Sequence, residues 1–300
     1  MPLYQAIKLC PHGIYVPVNM EKYLAESRKL REIFFKFTPI VEPIGCDEAF
    51  LDVTEDKKKI GSATIIAREI KKEIRKKTGL TASAGISFNK FLAKIASDVK
   101  KPDGMFVILP QDAERFIEEL PIEKFYGIGK VTAEKMHQLG IHSGKDLKKM
   151  ELADLIRKFG KAGKLYYNIC RGIDERPVEV VSERKSIGTE LTYEKDLVTK
   201  FEIIAELYKI EKELMERMRV AEITGKTITV KIKFSDFKQI TRSRTLPDFI
   251  RDFDVLHQCV TEIRRSLDLT GTRIRLLGVS VSNLESEEDK KRERQLNLFQ

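Results

Sequence analysis

Two adjacent carboxylates interrupt the otherwise apolar, strand-like segment IGCDEAFLDV, residues 44–53. Asp47 and Glu48 would be costly to bury together without a compensating positive charge. Neighbouring residues of a regular strand point to opposite faces, so the two acids share a site only at a turn between two strands. Converging carboxylates are typical Mg²⁺ ligands, and paired ions can clamp both reacting oxygens in phosphoryl transfer. The alternative is a surface turn with two solvated acids, because a dipeptide alone is a weak motif.

Three lysines follow in the segment SAGISFNKFLAKIASDVKKPDG, residues 83–104. Lys90, Lys94 and Lys101 bracket a predicted helix and the turn after it. Lysines close to a carboxylate–metal site could hold a nucleoside triphosphate as point charges. The second segment therefore makes a solvated surface turn a weaker explanation of the acidic pair.

These segments resemble the palm of Y-family DNA polymerases, and within that family the bacterial polymerase IV group. The family's usual form is S-x-D-E-A-Y-L-D, so Gly45 stands in place of the serine and Phe50 in place of the tyrosine. The resemblance implies two Mg²⁺ ions per active site and deoxynucleoside triphosphates as substrates. Asp47 would be a metal ligand, and Glu48 a ligand of the primer-side ion or a proton acceptor. Lys101 would neutralise the triphosphate, assisted by Lys94.

The segment FYGIGKVTAEKMHQLG, residues 125–140, resembles the helix-hairpin-helix of the family's thumb. Gly127 and Gly129 would allow a tight turn whose backbone amides, with Lys130 beside them, contact a DNA phosphate without reading sequence. The alternative is an ordinary turn between helices with glycine at a cap.

Two further segments, RKSIGTELTY at 184–193 and TRSRTL at 241–246, resemble strands of the family's little-finger domain, which lie along the duplex. The resemblance implies phosphate contacts by Arg184, Lys185, Arg242 and Arg244. For any single one of these residues the alternative is a solvated sheet edge.

The C-terminal segment QLNLF, residues 295–299, resembles the pentapeptide that bacterial replication proteins insert into the sliding clamp. Leu296, Leu298 and Phe299 would fill an apolar groove, and Gln295 would make polar contacts. Exposed leucines and phenylalanine at a chain end are otherwise a solubility liability, which favours docking. Residues 285–300 are therefore expected to be a disordered tail that ends in a clamp-binding peptide.

The net charge of +9 is concentrated in one part of the chain. Residues 57–101 carry 13 Lys and Arg against 3 Asp and Glu, which suggests a polyanionic partner such as primer–template DNA, or else a solvated helix face. The sequence contains no apolar run of membrane length and no signal peptide, and its four cysteines have no paired spacing. We therefore expect a cytoplasmic protein without a membrane partner, a disulfide framework or a zinc site.

The pattern of elements predicts an α+β multidomain protein. Strands at 14–18, 40–45, 49–53, 80–87 and 105–109 alternate with helices at 20–37, 62–77 and 89–99, which predicts a partial palm, 1–110, with a mixed sheet. Helical patterns separated by short glycine-containing turns predict a thumb at 111–176. The segment 177–186 contains proline and charged residues, which predicts a linker. Residues 187–284 predict a βαββαβ little-finger domain, with helical patterns at 199–220 and 248–268.

The resemblance implies a template-directed DNA polymerase of the translesion type that works as a monomer. Family members open with a palm strand bearing another metal-binding aspartate, followed by fingers, and neither is recognisable here. We therefore expect this chain alone to be poorly soluble or weakly active. A non-catalytic DNA- and clamp-binding remnant remains the alternative. A metal-dependent nuclease has little support because no further acid or histidine cluster accompanies the pair. The sequence also contains no G-x-x-x-x-G-K phosphate loop, which argues against a P-loop nucleotidase.

Overall fold

A computed structural model of the 300-residue chain describes residues 1–180, 184–286 and 289. The chain divides into two compact units between residues 181 and 182, inside the segment predicted as a linker, and each unit is described separately. Within the described ranges, no helix is both long and apolar enough to cross a membrane.

The first part of unit one contains four helices and four short strands. In chain order they are α1 Leu3–Leu9, α2 Met20–Phe34, β1 Ile40–Pro43, β2 Ala49–Asp52, α3 Ala63–Thr78, β3 Ala84–Ile86, α4 Lys90–Val99 and β4 Met105–Val107. β1 and β2 form an antiparallel hairpin, whereas β3 and β4 pair in parallel. In the described residues these strands form two separate two-stranded sheets. One is antiparallel and the other is parallel, so the two strand directions do not occur within one sheet.

The prediction of a strand at residues 14–18 is wrong. This stretch is irregular, and Ile14, Val16 and Val18 are exposed. Pro17 has no amide hydrogen to donate, and no other described strand pairs with the segment. The apolar alternation alone was therefore insufficient to make a strand.

Helix α3 shows how the local sequence signals act. The hydroxyl of Ser62 accepts a hydrogen bond from the amide of Ile65 and begins the helix, and Gly79 in the left-handed region ends it. Ile66, Ile70 and Ile74 repeat every four residues and are buried in the palm core. Of the basic residues between them, Arg68 and Lys72 are exposed, whereas Lys71 is mostly buried and forms an ion pair with Asp103.

The helical part of unit one comprises α5 Pro110–Glu119, a 3₁₀ turn Ile122–Lys124, α6 Lys130–His137, α7 Gly144–Lys148, α8 Leu152–Phe159 and α9 Lys161–Ile169. Its core is shared with α4, because Phe91 and Leu92 are buried in the same cluster as Phe125 and Ile169. The helix that carries the candidate lysines is consequently held by apolar packing from the predicted thumb.

Unit two has the predicted order of elements: β5 Ser186–Leu197, α10 Lys200–Ala221, β6 Gly225–Phe234, β7 Gln239–Thr245, α11 Phe253–Arg265 and β8 Ile274–Leu284. The four strands form one antiparallel sheet in the order β5-β8-β6-β7. Buried residues of α10 and α11 pack on one face of this sheet. The predicted helix at 248–268 begins later, at Phe253, because Leu246 and Ile250 donate backbone hydrogen bonds to Lys226 and Gly225 and keep this segment against β6.

Candidate active site and nucleic-acid interface

The acidic pair lies at the tip of the β1–β2 hairpin, as predicted from the sequence. The amides of Ile44 and Gly45 both approach the carbonyl of Glu48, at 2.9 and 3.4 Å, and close the turn. Asp47 is exposed and Glu48 is partly exposed. A side chain at Gly45 would begin at an ordinary 3.8 Å from Asp47 Oδ1, so the backbone here would also accept the serine of the usual family form.

Helix α4 brings two lysines to the hairpin. The carboxamide oxygen of Asn89 accepts from the amide of Leu92 and begins the helix. Gly85 of β3 lies so close to α4 that a Cβ there would be 2.0 Å from the carbonyl oxygen of Ala93, so only glycine allows this packing. Lys90 and Lys94, one helical turn apart, then point to the same side.

Lys94 contacts the acidic pair directly. Its ammonium group lies 3.0 Å from Glu48 Oε1, and only 15% of its side chain is exposed. Lys90 instead donates to both oxygens of Glu42 on β1, at 2.7 and 2.5 Å, and to the carbonyl of Pro177. The second carboxylate oxygen of Glu42 also accepts from the amide of Glu179, at 2.7 Å. The ion pair between Lys90 and Glu42 was not predicted from the sequence. The i, i+4 spacing of the two lysines does indicate that both face the same neighbouring element.

Lys101 lies in the turn that follows α4. Its pKa is raised above the usual lysine value, first because Asp98 accepts its hydrogen bond at 2.6 Å, with smaller contributions from the charges of Glu48 and Asp47. The ammonium group is half-exposed and therefore accessible to an anionic ligand. The charges of both acids therefore reach this lysine, although its direct partner is Asp98.

Two aromatic rings connect the hairpin to the predicted thumb. Phe50 of β2 meets Tyr126 edge to face with ring centroids 6.4 Å apart. The ammonium groups of Lys90 and Lys94 lie 5.1 Å from the Phe50 ring and 6.0 Å from the Tyr126 ring. Tyr126 was not identified from the sequence, because nothing in its neighbourhood distinguishes it from a packing tyrosine.

The donor atoms at the hairpin tip suit a hard cation. Two carboxylates offer oxygen ligands of the kind that Mg²⁺ prefers, and this ion commonly completes its coordination with water and substrate phosphates. Within the described part of the chain no group of three or more His, Cys, Asp and Glu is arranged to hold a metal. Asp52 does not join the pair, because its Oδ1 accepts from the amide and hydroxyl of Thr54. The pair therefore fits Mg²⁺ accompanied by a triphosphate.

The predicted helix-hairpin-helix residues lie around the start of α6. Gly127 has φ +93°, a value that side chains rarely adopt, and Gly129 is the N-cap of α6. No side chain caps this helix, and Lys130 at its first position is 90% exposed. The first amides of α6 are consequently available for an anion, in the arrangement that suits a phosphate.

The predicted basic residues of unit two lie at its edge. Arg184 and Lys185 are exposed just before β5, and Arg242 and Arg244 are exposed on the edge strand β7. In the β6–β7 register, these two arginines lie opposite the buried Val230 and Ile228, so they point to the face covered by helices. Arg244 forms an ion pair with Glu262 of α11, whereas Arg242 donates to the carbonyl of Thr241.

The opposite face of the sheet is polar, as the strict alternation at residues 227–237 predicts for a half-buried strand. Thr227 and Thr229 of β6 share short hydroxyl hydrogen bonds, both 2.8 Å, with Thr245 and Ser243 of β7. Lys231 lies on the same face and binds Glu190. In TITVKIK the polar side chains alternate with the apolar side chains that face the helices, so the polar ones lie on the opposite face of the sheet.

The predicted clamp-binding residues Gln295, Leu296, Leu298 and Phe299 lie outside the described residues. Their role remains a prediction from the sequence.

Models of known protein families match most of the chain. The model of the impB/mucB/samB family matches residues 1–98, and that of its C-terminal domain matches residues 184–298. A third family model, described as the thumb domain of DNA polymerase-iota, matches residues 123–174.

Similar proteins extend over nearly the whole chain. DNA polymerase IV of Bacteroides fragilis is 49% identical over 97% of this chain and 80% of its own length. DNA polymerase IV of Listeria innocua is 46% identical over 95% and 80%. Among solved structures, a Y-family DNA polymerase chimera, Dbh-Dpo4(243-245)-Dbh, matches with a TM-score of 0.83 and 31% identity, covering 94% of this chain and 82% of that chain. An insertion ternary complex of Dbh DNA polymerase matches with a TM-score of 0.62 and 29% identity over the same shares.

Proposed function

The chain belongs to the Y-family of DNA polymerases, the translesion type, and we propose that it extends primers at the site formed by Asp47, Glu48, Lys94 and Lys101. The primer 3′-oxygen would bond to the α-phosphorus of a deoxynucleoside triphosphate, the α–β phosphoanhydride bond would break, and pyrophosphate would leave. One observation supports this site above the others. The hairpin acids and the lysines of α4 and its following turn, separated by about fifty residues in the sequence, act on one another in the folded chain.

Each residue of the site has a distinct proposed role. Asp47 and Glu48 would hold Mg²⁺, two ions with the triphosphate present, and Glu48 could also receive the proton of the primer hydroxyl. Bound Mg²⁺ supplies charge stabilisation of the attacking and leaving oxygens. Lys101, half-exposed, would neutralise the triphosphate, whereas Lys94 balances Glu48 and would assist.

We propose that the chain holds primer–template DNA mainly through phosphates. The uncapped start of α6, with Gly127, Gly129 and Lys130, supports one contact. Arg184, Lys185, Arg242 and Arg244 would supply others from unit two. None of these groups is arranged to read base edges, so binding would depend on salt and be largely independent of sequence.

The segment 295–299 would bind a bacterial sliding clamp. This proposal rests on the sequence QLNLF alone. A monomer tethered in this way would reach a high local concentration at the primer end without further contacts by its folded units.

Primer extension tests the proposed site. The experiment compares the purified chain with an Asp47→Asn, Glu48→Gln variant, in Mg²⁺ with all four deoxynucleotides. We expect extension to fall by at least about 10²-fold, the usual scale for losing preorganised charge at a reacting centre. Asp52→Asn is the matched control, because it removes a similar charge from a carboxylate engaged with Thr54, and it should retain extension. Equal extension by the double variant and the parent would reject the site.

One observation favours the alternative, a non-catalytic DNA- and clamp-binding remnant. The described residues contain no cluster of three metal-binding side chains, so two carboxylates carry the whole protein share of the metal charge. Absence of extension by the parent chain, together with retained salt-dependent duplex binding, would support this alternative.

A further inference from the structure

Unit two contains an open groove of about 420 Å³ on its helical side. The groove lies between the C-terminal end of α10 with its following turn and the segment that leads into α11. Met215, Met218, Ile223, Ile250 and Phe253 form its apolar part, in which Met218 and Ile250 are buried at the floor. Polar and charged side chains complete the lining: Lys212, Glu216, Arg219, Glu222, Thr224 and Arg251. Methionine side chains adapt to irregular apolar ligands, and a groove of this size can hold a few apolar side chains.

An exposed apolar stripe continues the groove along α10. Phe201, Ile204 and Tyr208 are 81, 38 and 39% exposed and lie three and four residues apart, so they share one face of the helix. The Tyr208 ring meets Phe253 edge to face with centroids 5.4 Å apart, which joins the stripe to the groove. From Phe201 to Met215 the helix rises roughly 21 Å, enough for a peptide of six or seven extended residues.

The chain leaves the described fold at the rim of this groove. β8 ends at Leu284, and the amide of Glu285 donates to the carbonyl of Thr224 at 3.0 Å. The Glu285 carboxylate accepts from the hydroxyl of Thr224 at 2.7 Å and from Arg251 at 2.8 Å. Thr224 and Arg251 both line the groove, and the Glu285 side chain is only 4% exposed. The start of the C-terminal segment is therefore tied to the groove.

We propose that this groove binds the chain's own segment Gln295–Phe299, with Leu296, Leu298 and Phe299 as the apolar side chains that enter it. Eight residues lie between Ser286 and Gln295, and the nine Cα–Cα steps span at most about 32 Å, so the segment reaches a groove whose rim Glu285 already touches. A short tether gives an effective concentration in the mM range. An intrinsic Kd of about 0.1 mM would then leave the groove roughly ten-to-one occupied.

One consequence rests on the proposed function. If the same segment binds a sliding clamp, docking in the groove competes with it and weakens clamp binding about tenfold. The docking itself depends only on this chain, so it can be tested without a clamp.

Photo-crosslinking of the full chain tests the docking. Phe299 is replaced by p-benzoylphenylalanine, and crosslinked peptides are identified by mass spectrometry after irradiation at low protein concentration. We expect crosslinks within one chain to the groove, Met215 above all, because its side chain is partly exposed. Met215→Glu should abolish them, because it places a charge in the groove. Val220→Glu is the matched control, since Val220 is 70% exposed on the same helix and does not line the groove, and it should leave them unchanged.

A second measurement does not depend on the folding of a groove variant. A labelled synthetic peptide with the sequence of residues 292–300 is titrated with the parent chain and with a Leu296→Ala, Leu298→Ala, Phe299→Ala chain. The alanine chain should bind the peptide at least about fivefold more tightly, because its own segment no longer competes. Equal binding, crosslinks outside the groove, or crosslinks only between two chains would overturn the proposal.

Discussion

The ammonium group of Lys94 lies 3.0 Å from a carboxylate oxygen of Glu48 and joins helix α4 to the tip of the β1–β2 hairpin. Lys94 is mostly buried and Glu48 partly exposed, so the contact is shielded on one side and open to ligands on the other. A lysine in this position compensates the adjacent acids when no cation is bound. It also competes with a cation for Glu48, which makes the site sensitive to small changes in charge.

Lys94→Gln should lower the Mg²⁺ concentration that gives half-maximal primer extension by about threefold to tenfold. Removing a positive charge at this distance is worth roughly 1 kcal/mol or more, and 1.4 kcal/mol corresponds to tenfold. A Mg²⁺ titration of extension rates measures the effect. Lys90→Gln removes the same charge one turn away, where Glu42 is the partner, and should shift the titration less.

Lys101→Ala should raise the KM for deoxynucleotides by about tenfold, because a half-exposed ammonium group close to the acids would no longer attract the triphosphate. Steady-state extension at varied nucleotide concentration provides the value. Lys100→Ala is the matched control: its ammonium group lies 5.7 Å from the Phe106 ring, and the KM should change less than twofold. Equal effects of the two substitutions would argue against a specific role for Lys101.

Gly129→Ala and Gly127→Ala should separate DNA contact from folding. A Cβ at Gly129 meets no atom within 4 Å and its backbone suits any residue, so stability should be unchanged while duplex affinity falls severalfold as the methyl group crowds a phosphate. At Gly127 the φ of +93° makes alanine strained, with a cost of about 1–2 kcal/mol in unfolding free energy. Urea unfolding and fluorescence-anisotropy binding distinguish the two effects. Unchanged duplex affinity in Gly129→Ala would remove this turn from the interface.

Arg242→Ala should reduce the salt dependence of duplex binding by about one unit in the slope of log K against log salt, the effect of one lost phosphate contact. Arg244→Ala should reduce it less, because Arg244 is already paired with Glu262. Binding isotherms at several salt concentrations give both slopes. A larger effect at Arg244 would mean that DNA displaces Glu262 from this arginine.

Glu211→Gln should remove a pH dependence of stability that originates in unit two. Burial raises the pKa of Glu211, and this outweighs the opposing hydrogen bond from His257 at 2.6 Å. The folded chain therefore holds this proton more tightly than the unfolded chain does, so the free energy of unfolding falls as pH rises above the ordinary carboxyl value of 4.5. Between pH 4.5 and neutral pH the parent should therefore lose stability relative to the glutamine variant. Urea unfolding between pH 4.5 and 7.5 measures it, and parallel curves for the two chains would contradict the assignment.

Strong local signals predicted most elements correctly. Ser62 and Asn89 begin α3 and α4 because their side chains satisfy amides that the helix leaves free. The acidic dipeptide predicted a turn because adjacent strand residues cannot share a face. Prediction failed where a partner decides the outcome, as at residues 14–18, whose apolar alternation finds no strand with which to pair.

The sequence by itself determined the family, the acidic pair, the lysine segment and the order of elements in unit two, because these depend on residue types at short spacing. The tertiary structure decided which of those residues meet. It selected Lys94 as the partner of Glu48 and directed Lys90 to Glu42, since a helix face is oriented only by what it packs against. It also paired Arg244 with Glu262, and it tied Glu285 to the groove of unit two. Distances across a fold depend on packing between distant segments, and no local pattern encodes them.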